Sequence, residues 1–228
     1  MTRDRFIKVC GMRDASNIRA VEHLLDSSLH QERLGSVPLM GFIFWPKSSR
    51  CVSERPAYLP TLCKRVGVFV DASIEEIRQK VQEFDLNIIQ LHGSESPAYI
   101  QLLRSGKESN GKSSDCLIIK AFNIATADDF SKTETYEGIA DYFLFDTKGK
   151  SVGGNGEKFN WSVLAGYTGN TPFLLSGGIG PDDAELVKAF QHPKCLGIDL
   201  NSRFEIAPAL KDVAALRRFL TLLTPYFP

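Results

Sequence analysis

The chain has no surplus charge of either sign. Lys+Arg and Asp+Glu each number 27, so the formal net charge is zero. A protein that grips nucleic acid by bulk charge needs a basic face, because phosphate neutralisation drives that binding. The balance argues against that class and leaves room for a local anion site. Cysteines are scattered, at Cys10, Cys51, Cys63, Cys116 and Cys195, an odd number with no CxxC pair. This spacing argues against a zinc ribbon and, in a chain this long, against a disulfide framework. No stretch approaches the ~20 apolar residues of a membrane helix. The opening MTRDRFIKVCGMRD lacks the apolar run of a signal peptide. These absences together lead us to expect a reduced, cytoplasmic protein with no membrane segment and with most cysteines used for packing.

What is present is a regular alternation. Of 228 residues, 43% are apolar, enough to bury a full core. Eight β-rich runs recur: 6–10, 39–44, 66–70, 87–91, 117–121, 142–146, 173–176 and 196–200. They fall roughly every 27 residues, room for one strand and one helix per step. Ser73-Ile74-Glu75-Glu76 has capping-box spacing, and Ile74, Ile77, Val81 and Phe84 then share a helix face. Pro181 suits a first helical position, with Asp182 and Asp183 in the first turn and Ala184, Val187 and Phe190 facing inward. Val213, Leu216, Leu220 and Leu223 form a last apolar stripe. Pro56 and Pro60 interrupt the interval 51–64, which shows no clear helix. Eight even steps, with no GxGxxG after the first strand, favour a (β/α)8 barrel over 1–228 as one domain. The alternative is a doubly wound open sheet of six or seven strands. The polar stretches 26–36 and 105–115 read as solvated loops on the N-terminal face.

In a barrel the chemistry lies at the C-terminal strand ends. Phe6, Lys8 and Cys10 share one face of the first strand, and Gly11 follows. Cys10 is then either a packed thiol or, with its thiolate stabilised, a nucleophile or proton acceptor. Asp146 ends the apolar line of Tyr142 and Leu144. It either caps the backbone of Thr147-Lys148 or, with its pKa raised by an apolar setting, serves as a general acid. Gly177-Gly178 and Asn201-Ser202 place backbone and side-chain donors after strands seven and eight, the recurrent phosphate address of this fold. Arg50 is a surface arginine or a bidentate carboxylate clamp. His92 reads as a structural histidine before a catalytic base. Asp71 suits support of the turn before the Ser73 helix, and Asp199 suits orientation of the phosphate loop. His23, His30 and His192 receive no role.

The motifs form an ordered series. Lys8-Val9-Cys10-Gly11 is followed by Gly41-Phe42-Ile43-Phe44 through Ser48 to Arg50, and by Arg65 to Val70. Then come Gln90 to Gly93, Leu144-Phe145-Asp146-Thr147, Gly153-Gly154-Asn155-Gly156 and Leu175-Ser176-Gly177-Gly178. In this the chain resembles the phosphoribosylanthranilate isomerase family of tryptophan biosynthesis. The resemblance implies an Amadori rearrangement of N-(5′-phosphoribosyl)anthranilate to 1-(2-carboxyphenylamino)-1-deoxyribulose 5-phosphate. It implies Asp146 as the general acid on the ring oxygen and Cys10, as thiolate, as the base at C2′. Arg50 would hold the anthranilate carboxylate, and Gly177, Gly178, Asn201 and Ser202 the phosphate. It implies a small phosphosugar substrate, no metal, no organic cofactor, no nucleic-acid or membrane partner, and a monomer or homodimer. The chain departs from the family where Ser202 is followed by Arg203-Phe204-Glu205 in place of a serine-glycine segment. That makes Arg203 a candidate additional charge at the phosphate.

Other sugar-phosphate barrels fit less well. An epimerase needs metal-binding histidines at strand ends, and His92 is the one suitably placed. Indole-glycerol-phosphate synthase relies on lysine and glutamate; Lys8 is near, but Cys10 and Asp146 suit the isomerase. The histidine-pathway isomerase is expected to use two aspartates, and Cys10 stands at the first of those positions. A non-catalytic phosphosugar-binding barrel would have no need of the Cys10/Asp146 pair.

Overall fold

A computed structural model of the chain describes residues 5–31, 36–105, 115–146 and 161–223, with side chains at 29–31 left out of the description. Eight strands close into a barrel in sequence order, every neighbouring pair parallel. They are β1 (Arg5–Val9), β2 (Ser36–Ile43), β3 (Lys64–Phe69), β4 (Ile88–Leu91), β5 (Leu117–Asn123), β6 (Tyr142–Asp146), β7 (Phe173–Ser176) and β8 (Cys195–Leu200). The open-sheet alternative is thereby excluded, because β1 pairs with β8 from Phe6↔Gly197 to Val9↔Leu200. Helices cover the outside of a parallel sheet, so both strand faces are apolar and the strands read as nearly continuous hydrophobic runs.

The two faces feed two separate cores. Phe6, Leu39, Val66, Ile88, Ile119, Leu144 and Leu174 fill the inner cluster. Ile7, Val9, Phe42, Phe69, Ile89, Phe143, Phe145 and Phe173 pack in the other, with the helices. The helices are α1 (Ala15–Gln31), α2 (Ile74–Phe84), α3 (Pro97–Ser105), α4 (Ala184–Ala189) and α5 (Val213–Leu223). In α2 the Ser73 side chain accepts the Glu76 N–H, and Ile77, Val81 and Phe84 are buried, as the spacing predicts. In α5, Leu216, Leu220 and Leu223 are buried, together with Ala215 and Phe219.

Three steps depart from a regular helix. After β2 the chain stays irregular through 52–63, held by Glu22 of α1, which accepts the N–H groups of Thr61 and Leu62 at 2.6 Å each. After β5 and within 161–166 the turns are 3-10, at Ala127–Tyr136 and Trp161–Gly166. The helix after β7 starts later than expected. Pro181 and Asp182 lie in a turn, Asp183 is the cap, and α4 begins at Ala184. The Asp183 carboxylate accepts the Gly180 N–H at 2.8 Å, so it closes that turn instead of sitting in a first helical turn. Ala184 and Val187 are buried as expected, and Phe190 is half-buried.

The polar stretch 26–36 is largely helical, because α1 runs to Gln31 and β2 begins at Ser36; residues 32–35 lie outside the described residues. Of the stretch 105–115, residues 106–114 also lie outside them. Among the described residues, no helix is long and apolar enough to cross a membrane.

Candidate active site

Above the inner apolar cluster the barrel interior turns polar. Lys8 of β1 and Asp199 of β8 are register partners across the strand seam, and the Lys8 ammonium donates to Asp199 Oδ1 at 3.0 Å. The other Asp199 oxygen accepts Ser176 Oγ at 3.3 Å. Both side chains of the ion pair are buried. Such a pair is costly to desolvate, and it persists only when its geometry and its remaining hydrogen bonds are good. Burial pushes Lys8 down, but the Asp199 carboxylate and Cys10 outweigh it and leave the ammonium above its ordinary value.

Cys10 directly follows β1, its N–H donating to Leu200 O at 2.9 Å, with the thiol buried. Gly41 of β2 makes space for it: a Cβ there would lie 2.7 Å from Cys10 Sγ. Burial is the largest influence and leaves the thiol above its ordinary value; Asp199 adds to it, while Lys8 and Lys211 pull against it. The other cysteines divide by depth. Cys63 and Cys116 are buried, Cys51 and Cys195 half-buried, and none of the five is in a disulfide.

A second charged group closes over the end of β1. The chain leaves β8 through a 3-10 turn, Ser202–Phe204, pinned by buried Phe204 against Phe219. It then forms a short antiparallel pair, β9 (Glu205–Ala207) and β10 (Leu210–Lys211). Glu205 accepts Arg50 Nη2 at 2.7 Å and Nε at 2.9 Å, and Lys211 Nζ at 2.6 Å. Burial pushes Glu205 up, but the hydrogen bonds from Arg50 and Lys211 hold it below the ordinary carboxylate value. Lys211 also donates to Asn201 Oδ1 at 2.9 Å, and its own backbone is fixed by Asn17 of α1. A Cβ on Gly11 would lie 2.8 Å from Asn201 Oδ1 and 2.9 Å from Arg50 Cδ. The loops after β1, β2 and β8 therefore converge on one spot.

Asp146 ends β6, half-buried, with its Oδ2 3.6 Å from His92 Nε2. His92 Nδ1 lies 3.1 Å from Gln90 Nε2 inside the barrel. A Gln90 N–H donated to Nδ1 leaves the imidazole proton on Nε2, facing the Asp146 carboxylate. The sequence reading of His92 as structural thus gains a neighbour with chemistry. Thr147, Lys148 and the Gly153–Gly156 segment lie outside the described residues. Gly177 and Gly178 follow β7 at φ +95° and +70°, a turn that residues with a Cβ rarely adopt. Arg203 lies beside Gly180, two residues past that turn, where an added Cβ would meet Arg203 Cδ at 3.1 Å. Ser202 and Arg203 are exposed. Among the described residues, no group of three or more His, Cys, Asp or Glu side chains is arranged to hold a metal ion.

The candidate residues thus gather at one end of the barrel, in the order the motifs predict. The family model described as N-(5′-phosphoribosyl)anthranilate (PRA) isomerase matches residues 20–221. A curated isomerase of that name from Phocaeicola vulgatus is 48% identical over 217 residues, covering 95% of this chain and 97% of its own length. The chain belongs to the phosphoribosylanthranilate isomerase family. A second relative of the same name, from Parabacteroides distasonis, is 46% identical and spans 94% of this chain and 91% of its own. The crystal structure of phosphoribosyl anthranilate isomerase from Thermotoga maritima matches with a TM-score of 0.71 at 26% identity, over 98% of this chain and all of that one.

Family membership does not by itself explain Glu205 and Lys211, which the sequence reading passed over. The signal was faint: two charged residues on two- and three-residue strands, with Arg50 155 positions away from Glu205. Asp199 was expected to orient the phosphate loop; it holds Lys8 and Ser176. Asp71 was expected to support its own turn. It accepts Ser94 N at 2.6 Å and Oγ at 2.8 Å, tying the loops after β3 and β4 together.

Proposed function

We propose that this chain converts N-(5′-phosphoribosyl)anthranilate to 1-(2-carboxyphenylamino)-1-deoxyribulose 5-phosphate, as a cytoplasmic, single-domain enzyme of tryptophan biosynthesis. Asp146 protonates the furanose ring oxygen, and the ring opens to a Schiff base. Cys10, as thiolate, removes the C2′ proton, and the enolamine tautomerises to the ketone. The observation that carries this reading is the placement of a thiol and a carboxyl at two strand ends of one barrel mouth. Cys10 follows β1 and Asp146 ends β6, with only β7 and β8 between them. One acid and one base on the same bound sugar are what a proton-shuttling isomerisation requires. His92 assists by facing the carboxylate that Asp146 becomes once it has given up its proton.

The ligand carries a phosphate and a carboxylate, so a few placed donors suffice on a chain of zero net charge. Gly177, Gly178, Asn201 and Ser202 take the phosphate, and Arg203 adds charge beside them. Arg50 takes the anthranilate carboxylate. Two of its nitrogens are committed to Glu205, and Nη1 makes no hydrogen bond among the described residues. The guanidinium is thus held in place with one side free, and a fork of that kind suits a planar carboxylate.

Two measurements test the reading. The gene should restore growth without tryptophan to a bacterial strain lacking this isomerase, and purified protein should consume the anthranilate adduct. Absence of both would overturn it. Arg50→Ala should raise KM for the adduct about tenfold or more, the order expected for a lost charged hydrogen bond. Binding of ribose 5-phosphate, which has no carboxylate, should weaken much less. Equal loss for both ligands would assign Arg50 to the phosphate instead.

A further inference from the structure

Cys10 sits among an unusual number of charges. Lys8 comes from β1, Asp199 from β8, Lys211 from β10, and Arg50 from the segment after β2; each of these groups acts electrostatically on the thiol or feels it. Glu205 of β9 stands behind Arg50 and Lys211, bonded to both. The tally is three cations against two carboxylates. One positive charge remains, and a thiolate at Cys10 cancels it. Cys63 makes the contrast. Both thiols are buried and both stand above the ordinary value, but the charged neighbours of Cys63 are the carboxylates Glu22 and Asp26, which with burial push it up to about 12, whereas Cys10 has Lys8 and Lys211 pulling against its burial.

Among the three cations, Lys8 is the one built to serve the thiol. Lys211 is spent on Glu205 and Asn201, and Arg50 on Glu205. Lys8 lies two residues before Cys10 on the same strand face, fully buried, with one carboxylate oxygen as its partner. An ammonium has three N–H donors. Asp199 takes one, and Ser176 fixes the other oxygen of that carboxylate, so the ammonium cannot swing away. Of the influences that oppose burial of the thiolate, Lys8 is the largest.

We propose that Lys8 is a positioning residue for the reaction: its ammonium, aimed by Asp199 across the β1–β8 seam, stabilises the Cys10 thiolate that accepts the C2′ proton. The inference rests on Cys10 being the base. It assigns the buried Lys8–Asp199 pair a purpose beyond cohesion, which a buried ion pair serves poorly.

The test follows the ionisation of Cys10 directly. Alkylation of Cys10 by iodoacetamide is measured against pH, with peptide mapping to separate it from the other cysteines, alongside the pH profile of kcat/KM. The variants are Lys8→Met, Lys8→Arg, Asp199→Asn and the double K8M/D199N. Lys8→Met should move the alkylation midpoint up by about one pH unit or more, which is about tenfold less thiolate at neutral pH. The acid limb of kcat/KM should move with it. Lys8→Arg should restore most of the shift. Asp199→Asn should move the midpoint down, because it removes an anion and leaves the ammonium.

A structural role for Lys8 would not give shifts of opposite sign. Should Lys8→Met fold poorly around a lone buried Asp199, the double variant removes both charges together, and its midpoint must still lie above that of Asp199→Asn. Midpoints at the wild-type value in Lys8→Met and the double variant would overturn the proposal. A shifted midpoint with an unmoved kcat/KM profile would overturn Cys10 as the base and leave the Lys8–Cys10 pairing standing.

Discussion

Cys10→Ala and Asp146→Ala should each lower kcat by at least about 10²-fold, the lower bound for a positioned general acid or base. Ribose 5-phosphate should bind both variants nearly as well as wild type. The expectation rests on what each substitution leaves in place. Cys10 is tied to β8 through its backbone, N–H to Leu200 O at 2.9 Å, and alanine keeps that bond. The space at Cys10 is set by Gly41, so the loss of one sulfur leaves a small void. Asp146 pairs in register with Asn123 of β5 and Ser176 of β7, again through its backbone. Its carboxyl faces only His92 among the ion pairs of the described residues. Neither residue supports the turn at Gly177–Gly178, so phosphate binding has no reason to fail. Single-turnover and steady-state rates, with calorimetric binding of ribose 5-phosphate, separate the two effects. Near-normal turnover in either variant would remove that residue from its role. A double variant no slower than the singles would show that the two groups act as one unit.

The strands were legible because a helix-covered parallel sheet imposes one pattern eight times. Runs such as Val66-Gly67-Val68-Phe69 or Phe143-Leu144-Phe145 are apolar on both faces and stop where the polar loops start. The catalytic candidates were legible for the same reason, since Asp146 ends an apolar inward-facing line in a carboxyl and Cys10 follows Lys8 at the polar tip of the first strand. The covering elements were less so. Residues 127–136 carry Asp128, Asp129, Lys132 and Glu134, with only Thr133 buried, and they form a 3-10 turn started by Asp129 accepting the N–H groups of Ala125 and Thr126. No periodicity announces an element that buries one side chain. Asp183 was misplaced because its side chain closes the turn at Gly180, a local hydrogen bond that competes with helical geometry. Partnerships were the least legible. Lys8 and Asp199 are 191 positions apart, and Arg50 and Glu205 are 155 apart. Each sits beside a motif, but only closure of the barrel tells one charge which other it meets.

That closure predicts a large stability loss from a single methyl group. Gly197→Ala should lower stability by about 3 kcal/mol, the upper part of the range for overpacking. For a chain of this size that is a Tm lower by about 6–12 °C. Gly197 lies on β8 opposite Phe6 of β1, and a Cβ there would stand 2.1 Å from Phe6 O and 2.8 Å from Phe6 C. These are backbone atoms, so no rotamer change relieves the contact; the strands must move apart. The seam carries the chemistry two residues further on, where Lys8 faces Asp199 and then Cys10 meets Leu200. A shifted β1 therefore misaims the ammonium and the thiol, and the folded fraction of the variant should also turn over more slowly than wild type. Gly178→Ala is the control in thermal unfolding. Its φ is +70°, but among the described residues no atom beyond its chain neighbours lies within 4 Å of the added Cβ, so it bears the left-handed backbone cost of about 1–2 kcal/mol. A Gly197→Ala protein melting within about 2 °C of wild type, or no lower than Gly178→Ala, would mean that β1 and β8 adjust freely where the barrel closes. The fixed register of Lys8 against Asp199 would then no longer follow from the packing of the seam.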